Sequence, residues 1–188
     1  FAQAVDAIAN NEEIRGNFIV LGTTPEALQQ AGLPDTEISL NKKVISKAMR
    51  RNLGSLDYGH NIEPETLKRL PRQLNRPVAV LRSSQNSTNP NGYVVLTELK
   101  ETDYLDGREK PVVATLFLKE GPRGLEVINI SSIHGRWKSQ IKNAIAQEAP
   151  PPLYWDKEKG PQLLNWLGLQ LPPRLSSDAN LRRANIKT

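Results

Sequence analysis

The chain holds two imidazoles, His60 and His134, and no cysteine among its 188 residues. His60 lies in the turn-rich loop 54–61 with Tyr58 and Gly59, and His134 stands in Ser131-Ser132-Ile133-His134-Gly135-Arg136. Imidazoles titrate near neutral pH, so a pair of them can divide proton removal and proton delivery. Metal-independent cleavage of RNA needs that division. A base takes the 2′-hydroxyl proton, an acid protonates the departing 5′-oxygen, and fixed cations or hydroxyl donors steady the phosphorane-like transition state. On this reading His60 is the base or the acid, and His134 or Ser132 is its counterpart or a positioning group. Arg136 and Arg82 stabilise the phosphate.

Each of these residues also has a plainer role open to it. A loop histidine can be a surface or capping residue, Arg82 and Arg136 can be solvated ends of elements, and Thr97 can simply be a β-former. Strict alternation along a strand would turn one of Ser131 and Ser132 inward and leave the other free. Trp137, Trp155 and Trp166 could stack bases, but their spacing favours burial against a sheet. A phosphate-binding glycine loop, a Gly-x-Ser-x-Gly elbow, a His-Glu-x-x-His pair and an EF-hand loop are all missing from the sequence. A zinc site would need carboxylates at unmarked spacing. Neither a metal nor another cofactor is expected.

The net charge of +5 is unevenly placed. Residues 42–82 carry ten Lys and Arg against three acids, leaving a net of −2 for the rest of the chain. A one-sided cluster of this kind concentrates polyanions and suits a nucleic-acid or phosphate partner, although a solvated basic helix face would look the same. Within it Lys43, Lys47 and Arg51 recur at i, i+4 and i+8, one face of a helix, where they would hold an RNA backbone. No apolar run is long enough to cross a bilayer, so no membrane partner is expected. The opening Phe1 reads as the start of a domain cut from a longer polypeptide.

The elements that must position these residues change character along the chain. Apolar spacing predicts a short helix over 1–8, a strand at 18–21 entering a helix that ends near Gly32, a short strand at 37–40 and a basic helix over 42–51. A further helix is expected over 64–74, kinked or restarted at Pro71. Four β-rich segments follow at 77–84, 93–101, 111–119 and 125–132, the pattern of an antiparallel meander. Helices are expected over 136–147, broken by the prolines at 150–152, and over 156–167. The fold class is therefore α+β, N-terminal helices followed by a four-stranded antiparallel sheet with flanking C-terminal helices. Residues 1–17 are read as a leading helix and linker, 18–170 as the domain, and 171–188 as a flexible tail.

Taken in order, Leu21-Gly22-Thr-Thr-Pro25, His60, Leu67-Lys-Arg-Leu70-Pro71-Arg-Gln-Leu74-Asn-Arg-Pro77, Val95-Leu96-Thr97-Glu98 and Ile130-Ser131-Ser132-Ile133 resemble the phage MuF C-terminal domain family. The resemblance covers roughly residues 18 to 160. That family is similar to the barnase/EndoU/colicin/RelE group of metal-independent ribonucleases, and the resemblance carries over His60, Ser132 as the strand-end hydroxyl and Thr97 as the mid-sheet hydroxyl. It implies a polymorphic-toxin or phage-protein C-terminal domain that cleaves cellular RNA, tRNA among the targets, in a target bacterium's cytoplasm. It also implies a cognate immunity protein or antitoxin, and an upstream delivery or phage domain in a larger exported protein. The alternative is a non-enzymatic nucleic-acid- or protein-binding module, in which the basic helices dock the partner and the histidines are incidental.

Overall fold

The computed structural model describes residues 1–50, 59–103, 106–121, 124–145 and 151–170. Arg51 of the expected basic face, the 171–188 tail and part of the proline break at 150–152 lie outside the described residues. The leading apolar stripe forms α1 (Ala2–Ala9), whose Val5 is fully buried in the main core. β1 (Phe18–Thr23), α2 (Glu26–Gln30) and β2 (Glu37–Asn41) follow as the apolar pattern predicts. Asn41 ends β2 and caps α3 (Lys42–Met49), its side chain accepting the Lys43 amide at 2.9 Å. Such a cap is worth about 1 kcal/mol.

The helix expected over 64–74 is two helices, α4 (Pro64–Leu67) and α5 (Leu70–Asn75), each with a proline in its first turn. Pro71 has no amide hydrogen to offer a preceding turn, so it restarts the helix. The remaining elements are β3 (Ala79–Arg82), β4 (Tyr93–Thr102), β5 (Glu109–Glu120), β6 (Glu126–Gly135), α6 (Lys138–Ile145), β7 (Tyr154–Trp155) and α7 (Lys159–Trp166).

The sheet corrects the four-stranded expectation. The meander β3 to β6 is present and antiparallel, but it is the middle of one seven-stranded mixed sheet in the order β1-β2-β6-β5-β4-β3-β7. β2 pairs with β6 in parallel, Ile38 with Ile128 and Leu40 with Ile130, while β7 pairs with β3 at the other side. Alternation identifies Glu37 to Leu40 as a strand but does not name its partner. The pairing follows from burial, because Ile38, Leu40, Ile128 and Ile130 are all at most 2% exposed and share one core.

Both faces of the sheet are covered. The first core joins Val5, Ile45, Leu67, Leu70 and Leu74 of the N-terminal helices to Tyr93, Val95, Val112, Ala114 and Leu116. The second joins Val94, Leu96 and Val113, the alternate residues of the same strands, to Ile141, Ile145, Leu163 and Leu164 of α6 and α7. Each fully buried Leu, Ile or Val side chain in these layers contributes roughly 1.5–3 kcal/mol. Among the described residues no helix is long and apolar enough to cross a membrane.

One consequence of this topology places the site. β2 stays beside β6 only as far as Leu40 opposite Ile130, and the chain then turns into α3. β6 runs on to Gly135 with β5 as its only strand partner among the described residues. Residues 131–135 therefore form an overhanging edge beside the end of α3.

Candidate active site

His60 is seated by the end of α3. The last carbonyls of a helix lack intrahelical partners, and here the returning chain supplies them. The His60 amide donates to Lys47 O at 3.1 Å, Asn61 to Arg50 O at 3.0 Å and Ile62 to Ala48 O at 2.9 Å. Gly59 is buried against the Arg50 backbone, and a Cβ there would collide with the Arg50 carbonyl. Asn61 takes the left-handed conformation at φ 49°, and its side-chain amide donates to Thr102 O at 3.2 Å, tying the loop to β4.

His134 comes from the overhanging end of β6. Its ring centroid lies 5.4 Å from that of His60, with the planes tilted by 37°. Ser132 Oγ is 3.2 Å from His134 Nδ1, which leaves Nε2 as the nitrogen open to a substrate. The two serines do not alternate as a regular strand would have them. A register shift between Thr115 and Leu116 makes Ser131 an extra residue, and both hydroxyls converge on Thr115 Oγ1, Ser131 at 2.7 Å and Ser132 at 2.6 Å. A bulge re-aims side chains in just this way. The result is a hydroxyl chain that ends on the imidazole.

The surroundings are cationic. Lys110, 11% exposed on its side chain, is held between Glu101 Oε1 at 3.1 Å and Asp103 Oδ2 at 2.9 Å. Burial works against its ammonium, but the Asp103 and Glu101 carboxylates outweigh that and raise its pKa above that of an ordinary lysine. Burial likewise pushes the Glu101 carboxyl up, against the pull of the Gly135 amide and Lys110. Glu101 Oε2 accepts the Gly135 amide at 2.5 Å, so one carboxylate fixes both Lys110 and the residue next to His134. Burial also lowers the Arg136 guanidinium from its ordinary value, and among the described residues no carboxylate pairs with it. Arg136 lines a polar cleft of about 360 Å³ with Thr115, Ser131, Ser132 and the 83–89 loop.

Both imidazoles are pulled down to about 4, His60 by burial and then by Lys47 and Lys110, His134 by burial and then by His60, Arg136, Lys47 and Lys110. They are neutral at pH 7. An anion between them would relieve the repulsion and raise both values, so anion binding and protonation are linked. Stability is linked too. Unfolded histidine titrates near 6.5, so between pH 6.5 and about 4 the unfolded chain binds more protons and stability falls as the pH falls. A thermal melt should show the midpoint dropping from pH 6.5 to 5, each kcal/mol being worth about 2–4 °C in a chain of this size. The double variant His60→Gln, His134→Gln should flatten that slope, and an unchanged slope would contradict the assignment.

The other predicted residues divide cleanly. Lys47 is exposed on α3 and near enough to both imidazoles to shift them; Lys43 is exposed one turn further back. Arg82 is exposed at the end of β3, its guanidinium 5.0 Å from the centre of the Tyr93 ring, next to Ser83 of the cleft. Thr97 is fully buried, and its hydroxyl donates to Val112 O at 2.7 Å and accepts the Leu99 amide at 3.1 Å. These two bonds sit where the register of β4 against β5 shifts, between Leu96 and Lys100. Trp155 is buried, but Trp137, expected to pack on the sheet, is 38% exposed. Lys110, Glu101, Asp103 and Thr115 were not anticipated. Among the described residues no group of three or more His, Asp or Glu is placed to hold a metal ion.

A two-faced α+β domain with a histidine pair at the open end of its sheet is thus the class of protein in hand. The model of the phage MuF C-terminal domain family matches residues 52–162, and the chain belongs to that family. The matched span includes His60, β3 to β6 and His134. No curated protein and no solved structure matches the chain.

Proposed function

We propose that this domain is a metal-independent endoribonuclease, the C-terminal toxin domain of a phage or mobile-element protein, cleaving cellular RNA through its 2′-hydroxyl. The reading rests on one observation, the two imidazoles 5.4 Å apart, with His134 joined through the Ser132 hydroxyl to a polar cleft that Arg136 also lines. One imidazole removes the 2′-hydroxyl proton as O2′ attacks phosphorus. The bond to the 5′-oxygen breaks, and that oxygen takes a proton from the second imidazole. The products are a 2′,3′-cyclic phosphate and a 5′-hydroxyl, and the pair has gained one proton and lost one. Arg136, with the Ser131 and Ser132 hydroxyls, stabilises the charge on the non-bridging oxygens. Lys47 and Lys43 hold the flanking backbone. A cytoplasmic site of action, a cognate immunity protein and an upstream delivery domain belong to the same proposal.

The second reading is a non-enzymatic nucleic-acid-binding module. It is favoured by the depressed imidazoles, since with both near 4 the free domain carries no imidazolium to act as acid at pH 7. Incubation of the domain with total bacterial RNA and with DNA in EDTA separates the two. Cleaved RNA with cyclic-phosphate ends and intact DNA are expected. Intact RNA bound in a salt-sensitive way would give the second reading instead.

A further inference from the structure

Trp155 and Trp166 pack into or against the second core, whereas the Trp137 indole faces solvent. Its place is fixed by its own backbone, the Trp137 amide donating to Gln140 Oε1 at 2.9 Å as α6 begins. Cations surround the ring. Lys110 Nζ lies 4.3 Å and Arg108 Cζ 5.2 Å from its centre. Lys110 is pinned by two carboxylates, but the Arg108 side chain is 72% exposed and, among the described residues, paired with the surface carboxylate of Asp106 alone. An incoming ring can therefore displace the guanidinium or be covered by it. Trp137, Arg108 and Lys138 bound an open cleft of about 440 Å³. Arg136, which lines the other cleft, is the residue before Trp137, so the two Cα atoms are about 3.8 Å apart.

The exposed indole offers a π-face to a flat ring. Lys138, which no carboxylate among the described residues pairs with, offers positive charge to the phosphates attached to that ring, beside the Glu109 carboxylate that also lines the cleft. A nucleotide carries both ring and phosphate. Stacking of this kind tolerates any base, but the base must leave its own stack to reach the indole. A paired base in a helix cannot do so without the cost of unstacking.

We infer that Trp137 is the stacking platform for one unpaired base next to the phosphate held at Arg136, which makes single-stranded nucleic acid the ligand of this site. The inference rests on the proposal that the cleft takes RNA, and it adds which form of RNA. The test uses the full chain carrying His60→Ala and a dye-labelled RNA of about sixteen nucleotides, the upper end of the roughly 4–16 that single-strand sites cover. Binding is followed by anisotropy with the RNA single-stranded and in duplex. Single-strand binding is expected to be the tighter of the two. Trp137→Leu, which keeps apolar bulk but has no π-face, should weaken single-strand binding by about 5- to 150-fold and leave duplex binding nearly unchanged. Trp137→Phe should recover most of the loss, and it serves alone if the leucine variant does not fold. Single-strand binding within two-fold of the parent in Trp137→Leu, or an equal loss for duplex, would overturn the inference. RNA left intact by the wild type, with Trp137-dependent single-strand binding retained, would remove the ribonuclease proposal and leave the platform standing. Cleavage indifferent to Trp137→Leu would do the reverse.

Discussion

Replacing His60 by alanine is expected to lower RNA cleavage by on the order of 10²–10⁴-fold, the contribution of a positioned general acid or base. His134→Ala should cost a similar factor. The double variant should be little worse than either alone, because two groups that share one proton-transfer cycle do not contribute additively. Fold stability at pH 7 should fall only modestly, by about 1 kcal/mol for the lost Ser132–His134 hydrogen bond, since both rings are neutral there and neither makes an ion pair among the described residues. Cleavage rate in EDTA beside a thermal melt reads both quantities at once. A rate within a few-fold of wild type would take His60 out of the mechanism, whatever the melt shows. The same assays give the pH dependence of kcat/KM, which reports the free protein. With both imidazoles near 4, the singly protonated pair becomes scarcer by about tenfold per pH unit above that value, so kcat/KM should rise as the pH is lowered from 7 toward 5.

The second large effect is structural and lies behind the histidines. Glu101 is 5% exposed and binds both Lys110 and the Gly135 amide. Glu101→Ala removes a buried ion-pair partner and leaves a buried ammonium with Asp103 as its remaining carboxylate, together with an unpaired amide. Breaking a buried pair from one side costs about 3–5 kcal/mol, and Asp103 puts this case near the lower figure. The melting midpoint should fall by roughly 6–12 °C at pH 7. Activity should fall as well, because the residue after His134 loses its anchor. A midpoint within about 2 °C of wild type, no more than the shift from about 1 kcal/mol, would show that Glu101 contributes little net stability through Lys110 and the Gly135 amide.

Much of the architecture is legible in local pattern. The four β-rich segments, the restart at Pro71 and the cap at Asn41 follow from residue types acting over a few positions. The partner of β2 does not, because period-2 alternation marks Ile38 and Leu40 as buried without saying against what. The same limit explains the serines. Alternation sends Ser131 and Ser132 to opposite faces, and only the register of β5 against β6 shows the extra residue that unites them. Glu101 was readable in part, as an acid continuing the inward series Tyr93, Val95 and Leu99. Its meaning needed Lys110 opposite it, a cross-strand fact. His60 and His134 were identifiable by chemistry alone, while their meeting depends on the end of α3 lying beside the overhang of β6. Trp137 was misplaced because spacing resembling that of core tryptophans says nothing about where a strand ends.

The parallel pairing of β2 with β6 has a bearing on how the chain is made. The β1–β2 ribbon is local and can close early, yet the Thr36 hydroxyl meets Glu126 O across 90 residues. Pairings of such sequence separation close late and slow the final step of folding. During synthesis the inner edge of β2 stays open until β6 has left the ribosome, and a nascent chain exposes that edge to other strands all that while. The same delay keeps His60 without His134. A ribosome finishing this domain therefore holds an unassembled histidine pair until nearly the last of the sheet has emerged.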